Sequence, residues 1–219
     1  MSLTFSLAHL LGGIILLCAF LQLSQRRLAA MITLYQLEAL VLSAAAFWQG
    51  FAQTELNLYL TGLITLVIKA ILLPWALREI VLRFNMARAV ETALPMAVSM
   101  VLGLALIGIA VLVVLPTTMS SVSLTREDLA IALSVVLLGL LLMIVRRNAL
   151  AQIIGFLSTE NGLVLAAIGM PDMPFVAEFS VALLVLLAFL VVGVFLLRIR
   201  EHFDTLDLSG LEEIERRGR

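Results

Sequence analysis

The chain is poor in every group that usually builds a soluble active site. Cys18 is the single cysteine among 219 residues, which excludes an internal disulfide, a cysteine-based zinc site and an iron–sulfur cluster held by this chain alone. Histidine occurs twice, at His9 and His202, too far apart in sequence for metal-ligand spacing. No metal site or cofactor of its own is therefore expected. Charged residues make up only 13% of the chain, about half the share of an ordinary soluble domain. The formal net charge of −1 offers nothing to nucleic acid. No Lys or Arg precedes the first apolar run, which reaches Arg26 and Arg27 instead of a small-residue cleavage site, so a cleaved leader is not expected.

Apolar length is what the chain has in excess. Hydrophobic residues are 63% of the total, more than a soluble fold of this size could cover. Polar breaks divide the apolar runs at 5–24, 29–49, 56–77, 94–115, 128–145, 149–169 and 176–197, each near the roughly 20 residues that cross a bilayer as a helix. The fold class expected is an all-α polytopic membrane protein with seven transmembrane helices, embedded in a lipid bilayer. Thr125-Arg126-Glu127-Asp128 reads as a helix start, with a hydroxyl cap and acids in the first turn.

Seven-span threading puts Arg26, Arg27, Arg78, Arg83, Arg88, Arg146, Arg147, Arg198, Arg200, Arg216, Arg217 and Arg219 on one side, and only Arg126 on the other. The positive-inside bias then places the N-terminus outside and the C-terminus in the cytoplasm. Trp48, Tyr59 and Trp75 fall near span ends, as an interfacial belt requires. The mixed stretch from Arg78 to Glu91 is suited to the membrane surface. The polar tail, 201–219, opens a short helix at Ser209 through a capping box with Glu212.

Landmarks recur at a nearly constant interval. Arg26-Arg27 match Arg146-Arg147, Glu38 matches Glu160, Arg78-Glu79 match Arg200-Glu201, and Glu55 matches Glu178. Positive-inside orientation alone explains the arginines but not a repeated midspan acid. The expectation is two parallel three-helix repeats, 1–80 and 128–200, joined by an interfacial segment and linker helix at 81–127, with 201–219 as a cytoplasmic tail.

Apart from span ends, the spans hold three ionisable groups: Glu38, Lys69 and Glu160. At about 1.5 Å per residue, Glu38 and Glu160 lie roughly 16 and 20 Å from the Arg27 and Arg147 boundary, and Lys69 about 13 Å from Arg78. That depth is near the middle of a core about 30 Å thick. An ionised residue there costs about 2.5–3.5 kcal/mol on insertion scales, so it must pair, neutralise or line a wet path. Two acids and a base at similar depth are the equipment of a proton or cation path. Asn161, next to Glu160, is placed to hold a water or orient that carboxyl, and Tyr35 and Gln36 are polar neighbours of Glu38. Glu55 and Glu178 stand at the boundary as capping, solvated or relay groups. His9 reads as interfacial.

With these residues in place, the chain resembles hydrogenase-4 component E (HyfE-like) membrane subunits of group 4 hydrogenases. The resemblance rests on Lys69 with Pro74, the run from Arg147-Asn148 to Gly155, Glu160-Asn161-Gly162, Glu178 and Thr205-Leu206-Asp207. The C-terminal half of that family is similar to the K subunit of complex I and the C subunit of Mrp antiporters. The resemblance implies a non-catalytic subunit in the membrane arm of a redox complex, beside antiporter-like subunits, with hydrogen and metal-cluster chemistry on other chains. The residues leave two alternatives: a structural scaffold bridging antiporter-like subunits, and a free-standing secondary transporter. Against the latter, no span is expected to have a Gly- or Pro-interrupted centre.

Overall fold

The computed structural model describes residues 3–83, 92–117 and 123–168. Helices α1 (Leu3–Ser24) and α2 (Leu28–Gln53) are followed by α3 (Leu56–Ile64), a π-helical segment (Thr65–Leu72) and α4 (Leu73–Arg83), then by α5 (Met96–Thr117), α6 (Ser123–Val145) and α7 (Ala149–Ile168). The α3, π and α4 pieces run on as one span. The described chain is thus all-helical, with six helices long and apolar enough to cross a membrane. They match the first six expected spans within a few residues. The seventh span at 176–197, the tail at 201–219 and most of the surface segment between Arg83 and Glu91 lie outside the described residues. Helix α6 starts at Ser123, so Thr125 stands inside the helix rather than capping it.

The third span departs from the uninterrupted helix expected. Pro74 has no N–H, so the Ala70 carbonyl four residues back loses its α-helical donor. Gln36 Nε2 of α2 supplies one at 3.0 Å. Within the π segment each N–H reaches a carbonyl five residues back, as Leu73 does to Ile68. At its other edge the Gly62 carbonyl accepts from Ser43 Oγ of α2 at 2.9 Å. Two polar side chains of α2 therefore satisfy backbone groups on both sides of the break. Gln36 also accepts from Arg78 Nη2 at 2.7 Å, which ties α4 to the same helix.

Helices α1, α2, α7 and α6 close a cycle of contacts, with α5 outside against α1 and α6 and the third span outside against α2. On α1 the buried residues Ile15, Cys18, Ala19, Gln22 and Leu23 follow helical spacing. On α5 the large apolar residues Val101, Leu104 and Leu112 are exposed, a surface suited to lipid. Helix α7 is the most enclosed.

Helices α6 and α7 approach backbone to backbone. A Cβ at Gly139 would lie 2.6 Å from the Thr159 nitrogen, one at Gly155 2.9 Å from the Gly139 carbonyl oxygen, and one at Gly162 2.8 Å from the Val136 nitrogen. In lipid, where apolar area drives little association between helices, such close van der Waals packing holds them together. Asn148 caps α7, its Oδ1 accepting from Leu150 N at 2.9 Å. The fully buried Arg146 closes the end of α1, its Nη2 donating to the carbonyls of Leu23 at 2.8 Å and Gln25 at 2.6 Å.

This contact generates a stability prediction. Gly139→Val places methyl groups where backbone atoms stand and forces α6 from α7, and overpacking of this kind costs about 1–3 kcal/mol or more. At Gly13, where a Cβ would meet nothing within 4 Å, alanine is tolerated. Denaturant titration of the detergent-solubilised protein is expected to separate the two.

Candidate functional site

The three midspan charges meet. Glu38 of α2, Lys69 of the π segment and Glu160 of α7 are all buried. Lys69 Nζ lies 2.9 Å from Glu160 Oε1. The pair is a buried contact between an ammonium and a carboxylate at charge-assisted hydrogen-bond distance. Lys69 Nζ also donates to Asn161 Oδ1 at 3.2 Å. The far end of that amide, Asn161 Nδ2, donates to Glu38 Oε1 at 3.3 Å. Asn161 therefore bridges the base of one helix to the acid of another, with both ends of its amide engaged. It does not orient its neighbour Glu160.

Glu38 has a different shell. Ser158 Oγ stands 2.9 Å from Oε1 and 3.1 Å from Oε2, and Gln22 Nε2 of α1 donates to Oε2. Helical spacing explains the division on α7. Ser158 and Asn161 are three apart and share the face toward α2, while Glu160 points around the helix toward Lys69. Tyr35 is three residues before Glu38 on α2 and wholly buried. Its hydroxyl has no hydrogen-bond partner among the described residues, and both carboxyl groups act on it electrostatically.

The chemistry follows from this asymmetry. Glu160 has a cation in contact, whereas Glu38 has three neutral hydrogen-bond partners and no cation in contact. With all three groups ionised, the cluster carries one net negative charge in a medium where an uncompensated charge is expensive. Ionisation of Glu38 is therefore opposed unless a proton or another positive charge joins the cluster.

Of the residues expected at the site, Glu38, Lys69, Glu160 and Asn161 form one connected group, and Tyr35 stands beside it. Glu55 does not join them. It is exposed ahead of α3 and makes no side-chain cap bond. Glu178 lies outside the described residues. His9 is also elsewhere, its ring nitrogens 3.0 Å from Asp128 and 3.3 Å from Glu127. The sequence reading missed Gln22 and Ser158. Their one signal was polarity inside an apolar run, and Thr33, Thr61, Ser134 and Thr159 share that signal while bonding back to the carbonyl four residues earlier. Among the described residues no group of three or more His, Cys, Asp or Glu is arranged to hold a metal ion.

The chain is 30% identical over 207 residues, covering 93% of each sequence, to uncharacterized protein Rv0085 of Mycobacterium tuberculosis (strain ATCC 25618 / H37Rv). It belongs to the same family as that protein. No family model and no solved structure matches the chain.

The ion pair can be tested apart from any activity. Lys69→Met leaves Glu160 buried without its cation, and breaking a buried pair from one side costs about 3–5 kcal/mol. The double variant Lys69→Met/Glu160→Met is expected to regain most of that loss. Equal losses in the single and double variants, measured by unfolding in mixed micelles, would show that the pair does not stabilise the fold.

Proposed function

We propose that this member of the Rv0085 family is a non-catalytic membrane subunit of a group 4 hydrogenase-like or complex I-like redox complex. In that role it contributes buried carboxylates and a lysine to proton (or sodium) translocation coupled to electron transfer on other chains. The observation that carries the reading is the joined cluster Gln22–Glu38–Asn161–Lys69–Glu160, which links four spans, the charged groups at midspan and Gln22 in the last turn of α1. Intramembrane ionisable residues that face a bundle interior and contact one another are the usual marks of an ion path. Of the HyfE-like residues, Lys69 lies within the π segment with Pro74 just beyond it, Glu160 and Asn161 belong to the cluster, and Gly162 packs against α6.

In this reading Glu160 is the carrier, Glu38 its counterpart, and Lys69 the group that sets how readily Glu160 gives up a proton. Tyr35, buried three residues before Glu38, is the nearby hydroxyl that a water would connect to the acids. The chain has seven spans in two parallel three-helix units, with the N-terminus outside and the C-terminus cytoplasmic in a prokaryotic inner membrane. Antiporter-like subunits are its neighbours. The two acids of the repeat share one cluster, which supports the duplication. The arginine pairs are less alike, since Arg26 and Arg27 differ in exposure from the buried Arg146, with Arg26 open to the surroundings.

One observation favours a second reading, a free-standing secondary transporter. The π break beside Pro74 is the interrupted span centre that the uninterrupted pattern had argued against, and broken spans often build transporter sites. The two readings part on partners. Purification in mild detergent is expected to bring antiporter-like and redox chains along under the first, and none under the second.

The path itself has its own test. Glu160→Gln is expected to cut ion translocation in sealed vesicles at least tenfold while the chain still assembles with its partners. Unchanged translocation per assembled complex would reduce the cluster to a packing device.

A further inference from the structure

The geometry points to a binding site for a small alkali cation at Glu38, built with Gln22 and Ser158. This inference rests on reading the cluster as an ion path and names the ion that the path takes.

Charge sets the need. Lys69 and Glu160 cancel at 2.9 Å, and Lys69 reaches Glu38 only through the Asn161 amide. The other titratable groups that act on Glu38 or feel it are Cys18 of α1 and Tyr35 of α2, both neutral in their ordinary forms. When ionised, Glu38 is thus a buried carboxylate whose charge no contacting cation balances. A single positive charge makes the cluster neutral, which suits a monovalent ion and not a divalent one.

The donors set the kind of ion. Gln22 is wholly buried, and its Oε1 has no hydrogen-bond partner among the described residues although the same amide touches Glu38. Turning that amide over brings Oε1 to the carboxylate in place of Nε2. Ser158 Oγ already stands within 3.1 Å of both Glu38 oxygens, and a turn of its hydroxyl hydrogen offers a lone pair. Carboxylate, amide and hydroxyl oxygens from α2, α1 and α7 then converge, the oxygen-only set that hard cations take. A proton needs one acceptor; three oxygen groups from three helices are more than it uses. Asn161 stays outside the set, because Lys69 holds its oxygen.

The test is the melting temperature of the full chain in detergent, with NaCl exchanged for choline chloride at constant ionic strength. Sodium at about 100 mM is expected to raise it by about 5 °C if that concentration is some hundredfold above the dissociation constant. Glu38→Gln is expected to abolish the shift. Gln22→Leu and Ser158→Ala are each expected to move the half-effective sodium concentration upward at least tenfold. LiCl and KCl series then rank the site by ion size. As a second measurement in the unsubstituted chain, sodium is expected to slow carbodiimide labelling of Glu38 at least fivefold. Equal melting temperatures in sodium and choline, or the same sodium response in Gln22→Leu and Ser158→Ala, overturn the cation site. If Glu160→Gln still blocks translocation in that case, the path carries protons alone and the reading of the cluster survives.

Discussion

Neutralising charge where water is scarce is the constraint on which this structure depends. Each ionisable group at midspan depth carries a penalty of a few kcal/mol unless another group answers it. The fold answers Glu160 with Lys69, and Glu38 with an amide, a hydroxyl and a second amide. Those partners come from α1, α7 and the third span, so the positions of the helices and the state of the charges are one problem. A shift in α7 alone would strand the ion pair and two of the bonded side chains around Glu38.

The packing around the cluster reflects that dependence. Three glycines let α7 lie against α6 at backbone contact, and Asn148 closes its first turn. Arg146, buried without a carboxylate in contact among the described residues, spends its guanidinium on the last carbonyls of α1. The same turn of α1 carries Gln22. A cap at the helix end therefore also steadies a side chain of the site, one step removed from the acid it serves.

The six described spans were legible because each is an apolar run of the right length between polar breaks. Glu38, Lys69 and Glu160 were legible for the opposite reason: charge inside such a run is costly and rare. Neutral polar residues give no such contrast. Gln22 and Ser158 look in sequence like Thr61 or Ser134, whose hydroxyls bond within their own helix. Which of them reaches across is decided by the rotation of each helix, and the apolar pattern of a membrane helix specifies rotation weakly because lipid accepts any apolar face. Arg146 looked like one more boundary arginine, since only the end of α1 beside it shows what it binds. Pro74 was visible, but its effect depends on Gln36 and Ser43 of another helix donating to the displaced carbonyls.

That displaced stretch also changes how the third span is phased. A π segment takes more residues to complete a turn than an α-helix does, so the side chains beyond it are offset in azimuth from those before it. The half that carries Gly62 and the half that carries Arg78 consequently both face α2, and Lys69 between them is swung out toward α7. A straight helix of the same composition would have to leave one of these three directions unserved.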